Sequence, residues 1–87
     1  MSRPQIVMYA TGWCPYCDQA RRLMTEKGLA FEEIDVDEAA KLREEMIARS
    51  GRRTVPQIFI GAKHIGGYDE LFALKDSGEL DPLIEGA

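Results

Sequence analysis

Hydrophobic residues recur along the first part of the chain with two periods, one typical of strands and one of helices. Residues 5–10, QIVMYA, are a short apolar run rich in β-branched and aromatic side chains, which predicts a buried strand. Residues 15–28 begin with proline and end with glycine, as helices often do. Their apolar positions share one helical face: Ala20, Leu23 and Met24. Residues 31–36, FEEIDV, alternate and predict a second strand.

The following part of the chain shows the same alternation between helix and strand patterns. A second helix is predicted to follow Asp37, its N-cap, and to end at Ser50–Gly51. Its apolar positions keep helical spacing: Ala39, Leu42, Met46 and Ile47. Residues 54–60, TVPQIFI, lead into a third strand, and residues 61–62 form a tight turn into residues 63–65. The third and fourth strands are therefore expected to form a hairpin.

The pattern after the hairpin predicts a last helix, which Gly66–Gly67 open and which ends near Gly78. Its expected buried side consists of Tyr68, Leu71, Phe72 and Leu74. The tail from Leu80 to Ile84 is expected to pack against the rest of the chain. The order β-α-β-α-β-β-α predicts one α/β domain over residues 1–87, a four-stranded mixed sheet flanked by three helices.

Length and charge narrow the possible functions. The chain has 87 residues, of which 45% are hydrophobic and 30% charged, as expected for one globular domain. Its net charge of −4 and scattered basic residues disfavour nucleic acid as a partner. The sequence contains neither the apolar run of a signal peptide nor one long enough to span a membrane. These features predict a cytoplasmic protein, in a compartment that keeps thiols reduced.

Both cysteines lie in one short segment, TGWCPYCD, at residues 11–18. A zinc site would need four nitrogen or sulfur ligands, and beyond this pair the chain offers only His64, which is expected to be a half-exposed strand residue. A disulfide that closes so short a loop would stabilise the fold by only about 2 kcal/mol. A redox couple is therefore the favoured interpretation, and no metal is expected.

The position of this pair predicts different roles for its two members. The first turn of a helix has backbone N–H groups without intrahelical partners, and the helix dipole adds partial positive charge there. Both effects favour a thiolate. Cys14, just before Pro15, is expected to face solvent at the N-cap and to act as the nucleophile. Cys17 is expected to point inward and to act as the resolving thiol.

Three motifs in this order resemble those of the glutaredoxin family, in particular its dithiol bacterial members. These are CPYC after the first strand, TVP before the third and GGYDE at the start of the last helix. The resemblance covers nearly the whole chain. It implies a thioredoxin-like fold and glutathione-dependent reduction of protein disulfides and glutathione mixed disulfides. It also implies that the peptide bond before Pro56 is cis.

The resemblance further implies where glutathione, the co-substrate, binds. Tyr16 would flank the groove, and Thr54 and Val55, with Pro56, would hold the cysteinyl portion. Tyr68 and Asp69 would bind the γ-glutamyl end, where N–H groups at a helix start can receive a carboxylate.

Two positions depart from the family pattern. Many relatives have a lysine three residues before the first cysteine, where this chain has Thr11; Arg53 or Arg43 could supply the missing charge. Trp13, directly before the cysteine pair, is more typical of thioredoxins. It either covers the sheet edge or forms an aromatic wall for protein substrates.

Other functions of the same fold remain as alternatives. One is a redoxin reduced by thioredoxin reductase in place of glutathione. Another is a carrier in which two protomers hold a [2Fe–2S] cluster with Cys14 of each and two glutathiones. The favoured hypothesis is a monomeric oxidoreductase whose partners are glutathione and disulfide-containing or glutathionylated proteins.

Overall fold

The computed structural model describes residues 3–86, which form four strands and four helices. In chain order these are β1 (Ile6–Ala10), α1 (Pro15–Glu26), β2 (Glu32–Asp35), α2 (Ala40–Ser50), β3 (Gln57–Ile60), β4 (Lys63–Gly66), α3 (Tyr68–Ser77) and α4 (Leu80–Glu85). The predicted α/β fold with a four-stranded mixed sheet is confirmed, with one helix more than the sequence pattern indicated. Within residues 3–86, no helix combines the length and the apolar character that crossing a lipid bilayer requires.

The sheet has the strand order β2-β1-β3-β4. Strand β1 is parallel to β2 and antiparallel to β3, and β3 and β4 form the predicted antiparallel hairpin. The parallel pair places the end of β1 beside the end of β2, with Ala10 opposite Asp35. The loop that carries the cysteines leaves the sheet at this end.

Alternating side chains of β1 and β3 divide the core between the two faces of the sheet. Met8 and Ile58 point to the face that α1, α3 and α4 cover, in a cluster that also contains both cysteines. Tyr9 and Phe59 point to the other face, where they pack with Met46 of α2. Burial of these side chains, at about 25 cal/mol per Å² of apolar surface, holds the helices against the sheet.

The tail after Gly78 forms a helix, which corrects the prediction of three helices. Leu80 and Ile84, one turn apart, are 1% and 4% exposed and join the core cluster. Pro82 lies in the first turn, where backbone N–H groups have no intrahelical acceptor, so its missing donor costs nothing. The expectation that this segment packs down is confirmed.

Two further expectations were wrong. Phe72, predicted to lie on the buried side of α3, is 44% exposed, because α3 turns mainly Leu71 toward the core. Asp37 does not cap α2; the N-cap is Ala39, without a side-chain hydrogen bond. The Asp37 carboxylate instead accepts hydrogen bonds from Trp13 and Arg43.

Candidate active site

Cys14 is the N-cap residue of α1. Its backbone is extended, Pro15 takes the first helical position, and the N–H of Asp18 donates to the Cys14 carbonyl at 3.0 Å. The N–H of Cys17 donates to Sγ of Cys14 at 3.4 Å. A first-turn N–H that points at the sulfur stabilises negative charge that develops there during thiol–disulfide exchange. The structure thus gives Cys14 the environment of a nucleophilic thiol.

The Cys14 side chain is less accessible than the sequence suggested. It is 6% exposed, against 0% for Cys17, so both cysteines are buried. The segment before β3 covers Cys14. The Cys14 thiol donates to the Val55 carbonyl at 3.8 Å, and Val55 packs on the same core cluster. The expectation that Cys14 faces solvent is therefore corrected: its side chain is buried and in contact with Val55.

Cys17 lies beneath Cys14 in the core. Burial raises the pKa of Cys17 from 9.0 to about 12, and the neighbouring Cys14 adds to this increase. The Thr11 N–H and the charge of Arg21 act in the opposite direction, but do not offset the burial. Cys17 is therefore protonated at neutral pH.

Arg21 of α1 braces the loop that leads to the cysteines. Its guanidinium donates to the Thr11 carbonyl at 2.9 Å and binds the Glu33 carboxylate through two nitrogens, each at 2.7 Å. Asp18 pairs with the same guanidinium. A bidentate pair of this kind fixes orientation as well as charge, so α1, β2 and the loop are held in one arrangement.

The Val55–Pro56 peptide bond is cis, as the family resemblance implied. Next to it, the side-chain amide of Gln57 donates to the Thr54 carbonyl at 3.0 Å and to the Thr54 hydroxyl at 3.2 Å. Its amide oxygen must then accept from Nε2 of His64, 2.7 Å away. Gln57, a buried polar residue in an apolar strand, thus holds Thr54 in place beside the cysteines.

A groove of about 220 Å³ lies beside Cys14, between the segment before β3 and the start of α3. The structure brings together six of the residues that the family resemblance named: Tyr16, Thr54, Val55, Pro56, Tyr68 and Asp69. Arg53 does not line this groove, whereas its neighbour Arg52 does. Nothing in the periodicity of the sequence distinguishes these two adjacent arginines, because they lie in a loop.

Glu70 orders the start of α3 and was not singled out from the sequence. Its carboxylate accepts from the Gly67 N–H at 2.6 Å, and this bond, followed by Arg52 at 3.4 Å, holds the pKa of Glu70 below its usual range. A Cβ at Gly66, whose φ is +118°, would lie 2.5 Å from the Glu70 carboxylate, so glycine leaves room for it. The Gly67-x-x-Glu70 spacing, typical of a capped helix start, was the available signal.

Trp13, directly before Cys14, does not line the groove beside Val55. Its side chain is exposed, and Nε1 donates to Asp37 at 2.8 Å. This bond and a second from Arg43, at 3.0 Å, lower the pKa of Asp37. Arg43 is therefore engaged with Asp37, and Thr11, at the position of the family lysine, is fully buried.

Comparison with known proteins agrees with this geometry. A sequence profile of the glutaredoxin family matches residues 6–65. Glutaredoxin 3 of Escherichia coli (strain K12) is 54% identical over 80 residues, which cover 92% of this chain and 96% of that protein.

Solved structures give the same result. The solution structure of a glutaredoxin from Brucella melitensis is 48% identical with a TM-score of 0.86, covering 98% of this chain and 92% of that one. A buckwheat glutaredoxin–glutathione complex is 30% identical with a TM-score of 0.85, covering 94% and 76%. With a cysteine pair at a helix start beside a cis-proline groove, the chain belongs to the glutaredoxin family and is a thiol–disulfide oxidoreductase that uses glutathione as co-substrate.

Proposed function

We propose that the protein reduces both glutathione mixed disulfides and protein disulfides in the cytoplasm, acting as a monomer through Cys14 and Cys17. The observation that carries this proposal is the asymmetry of the two thiols. Cys14 receives a helix N-terminal N–H at 3.4 Å beside an open groove, whereas Cys17 is fully buried and keeps its proton. Cys14 is suited to attack the substrate, and Cys17, buried beneath it, to attack Cys14 afterwards.

The reaction on a glutathione mixed disulfide needs Cys14 alone. The Cys14 thiolate attacks the glutathione sulfur, the S–S bond to the substrate breaks, and the substrate sulfur leaves as a thiolate that takes up a proton. A second glutathione thiolate then attacks the sulfur of the glutathione bound to Cys14. Glutathione disulfide is released, and the Cys14 thiolate is restored.

The reaction on a protein disulfide needs both cysteines. Cys14 forms a mixed disulfide with one substrate sulfur, and the other substrate sulfur leaves as a thiolate. Cys17 then gives up its proton and attacks Sγ of Cys14, which releases the substrate fully reduced and leaves a Cys14–Cys17 disulfide. Two glutathiones reduce that disulfide and are oxidised to glutathione disulfide. Because burial raises the pKa of Cys17 to about 12, proton loss accompanies this second step.

The groove of 220 Å³ beside Cys14 is the proposed site for glutathione. A buckwheat glutaredoxin with the same fold has been solved as a complex with glutathione, which supports this assignment. The Val55 N–H has no hydrogen-bond acceptor among residues 3–86, so it can pair with an extended cysteinyl segment as an edge strand does. Asp69, in the first turn of α3, would bind the γ-glutamyl ammonium, and Tyr16 and Tyr68 would flank the tripeptide.

Single-cysteine variants test the proposed roles. We expect Cys14→Ser to abolish all activity, because the nucleophile is lost. Cys17→Ser should retain most of its rate on glutathione mixed disulfides and lose reduction of protein disulfides. Initial rates with a glutathionylated peptide and with an intramolecular protein disulfide, at fixed glutathione, measure both activities. Deglutathionylation by Cys14→Ser would contradict the assignment of the nucleophile.

Asp69→Ala tests the glutathione groove. A charge-assisted bond to the γ-glutamyl ammonium contributes about 1.5–3 kcal/mol, so the Michaelis constant for glutathione should rise roughly tenfold or more. Dithiothreitol should reduce the oxidised variant at the wild-type rate, because a small dithiol does not need Asp69.

Asp76→Ala is the matched control, since Asp76 is an exposed aspartate on the same helix and lies outside the groove. It should leave the Michaelis constant near the wild-type value. If Asp69→Ala also leaves that constant unchanged and only lowers the melting temperature, Asp69 acts solely on the α3 dipole and is not a ligand.

A further inference from the structure

A second groove lies between α1 and α3, further from the cysteines than the first. Its volume is about 510 Å³, against 220 Å³ for the groove beside Cys14. Six of its lining residues carry the argument: Arg22, Glu26, Lys27, Tyr68, Phe72 and Lys75. We call it the α1–α3 groove. Tyr68 lines both grooves, so a chain bound beside Cys14 can continue past the Tyr68 ring into the second.

The α1–α3 groove is basic although the protein as a whole is acidic. Three cationic side chains and one carboxylate line it, in a chain whose net charge is −4. Lys27 is paired with Asp81 at 2.9 Å. Within residues 3–86, no carboxylate lies within ion-pair distance of Arg22 or Lys75. These two charges are available to an acidic partner.

The same groove presents an exposed aromatic surface. Phe72 is 44% exposed, its ring lies 6.0 Å from that of Tyr68, and Nζ of Lys75 is 5.6 Å from the Phe72 centroid. Tyr16, 57% exposed in the first turn of α1, lies on the Cys14 side of Tyr68. Aromatic rings flanked by cations suit a polypeptide that combines an apolar side chain with acidic ones.

We propose that the α1–α3 groove binds the polypeptide flanking the reactive cysteine of a protein disulfide substrate, and that this flanking segment is acidic with an apolar residue against Phe72. The proposal deepens the function proposed above and rests on it, because the substrate cysteine must reach Cys14 through the first groove. The α1–α3 groove then determines which protein disulfides are reduced fastest, while glutathione itself fills only the first groove.

Peptide disulfides of one length test this specificity. Each of three peptides contains one intramolecular disulfide and one leucine at the same position. The residues that flank one of its cysteines are acidic in the first peptide, neutral in the second and basic in the third. We expect the wild-type kcat/KM to fall in the order acidic, neutral, basic, with about tenfold between the extremes at low salt. The difference should shrink toward unity at about 1 M salt, where the screening length is near 3 Å.

Charge reversal tests the residues. Arg22→Glu with Lys75→Glu should lower kcat/KM for the acidic peptide about tenfold or more and raise it for the basic one. Lys41→Glu with Lys63→Glu is the matched control, since both lysines are exposed and lie outside the groove. Phe72→Ser should lower kcat/KM severalfold for the leucine-containing peptides and not for matched peptides with serine in its place.

A small glutathione mixed disulfide separates this proposal from the function on which it rests. All these variants should reduce it within twofold of wild type, because it does not reach the α1–α3 groove. If wild type reduces this mixed disulfide but reduces the acidic and basic peptides equally, the α1–α3 groove is not a docking surface. The same conclusion follows if the groove double variant and the control double variant lose equal activity on the acidic peptide. If neither the wild-type protein nor any variant reduces the glutathione mixed disulfide, the proposed function itself fails.

Discussion

The region around the cysteines and the sheet face beneath α2 bury polar groups in opposite ways. Beneath α2, the Tyr9 hydroxyl is buried but donates to Glu45 and accepts from Arg49 at 2.8 Å. The Arg49 guanidinium also lies 4.2 Å from the centroid of Phe59. Around the cysteines, the fully buried Thr11 hydroxyl has no hydrogen-bond partner within residues 3–86, and the Cys17 thiol is surrounded by apolar residues.

Burial raises the pKa of both Tyr9 and Cys17, and in each case it is the largest cause. For Tyr9, the hydrogen bond to Glu45 adds to the increase and Arg49 opposes it. Through its hydrogen bonds to these two residues, Tyr9 links the sheet to α2. Within residues 3–86, Cys17 has no comparable charged partner at hydrogen-bond distance, so no ion pair has to break when its sulfur attacks Cys14. A buried hydroxyl with charged partners thus stabilises the scaffold, whereas the buried Cys17 thiol, without such partners, is left to react with Cys14.

Thr11→Val should remove the buried side-chain hydroxyl that has no hydrogen-bond partner within residues 3–86. Valine matches threonine in shape and retains the backbone N–H that faces Cys17. A buried hydroxyl without a partner costs about 1–3 kcal/mol, so the variant should be more stable by roughly that amount. Urea unfolding of the reduced proteins measures the change.

Thr25→Val is the control for this substitution, because Thr25 lies on α1 and is exposed. Its effect should stay within about 0.5 kcal/mol, as for most surface changes. An equal or lower stability of Thr11→Val would mean that the hydroxyl is satisfied, and the contrast between the two regions would be lost at this position.

Cys17→Ala should flatten the dependence of stability on alkaline pH. The folded protein keeps the Cys17 proton up to a pKa of about 12, whereas the unfolded chain loses it near 9.0. The folded state therefore binds more protons between these values, and stability falls as pH rises. From pH 9 to 10 this one thiol should remove about 1 kcal/mol of unfolding free energy.

The measurement is urea unfolding of wild type and Cys17→Ala at pH 8, 9 and 10 in the presence of a phosphine reductant. Tyr9 is present in both proteins and lies on the opposite face of the sheet, so its contribution cancels in the difference. The gap in stability between wild type and variant should narrow by about 1 kcal/mol between pH 9 and 10. Parallel curves over this range would show that Cys17 ionises as readily in the folded protein as in the unfolded chain.

The sequence predicted the fold well because strong periodic patterns marked most elements. The four strands and the first three helices lie where alternation and helical spacing placed them, to within a few residues. The six-residue α4 was missed because so short a segment, with Pro82 inside it, shows little periodicity. Phe72 was misplaced because helical spacing defines a face, but not how far that face reaches around the helix.

The site was predictable where a motif carried it and unpredictable where tertiary contacts did. CPYC and its position at a helix start gave both cysteines, and the family resemblance gave six residues of the groove but neither Arg52 nor Glu70. The burial of Cys14 could not be predicted, since it depends on contact with Val55 from a distant segment. The hydrogen bond from Trp13 to Asp37 likewise joins residues 24 positions apart, and local patterns do not report such pairs.

Tyr9→Phe should have the smallest effect and should leave the cysteine region untouched. The change removes the hydroxyl that ties the sheet to α2, but Glu45 and Arg49 are exposed, so water can replace the lost bonds. The free energy of unfolding should therefore fall by only about 0.5–1 kcal/mol. The reduction rate of a glutathione mixed disulfide should stay at the wild-type value, because Tyr9 lies on the opposite face from Cys14 and Cys17. Chemical unfolding and initial rates on one preparation measure both, and a rate that falls severalfold with unchanged stability would show that the two regions are coupled through β1.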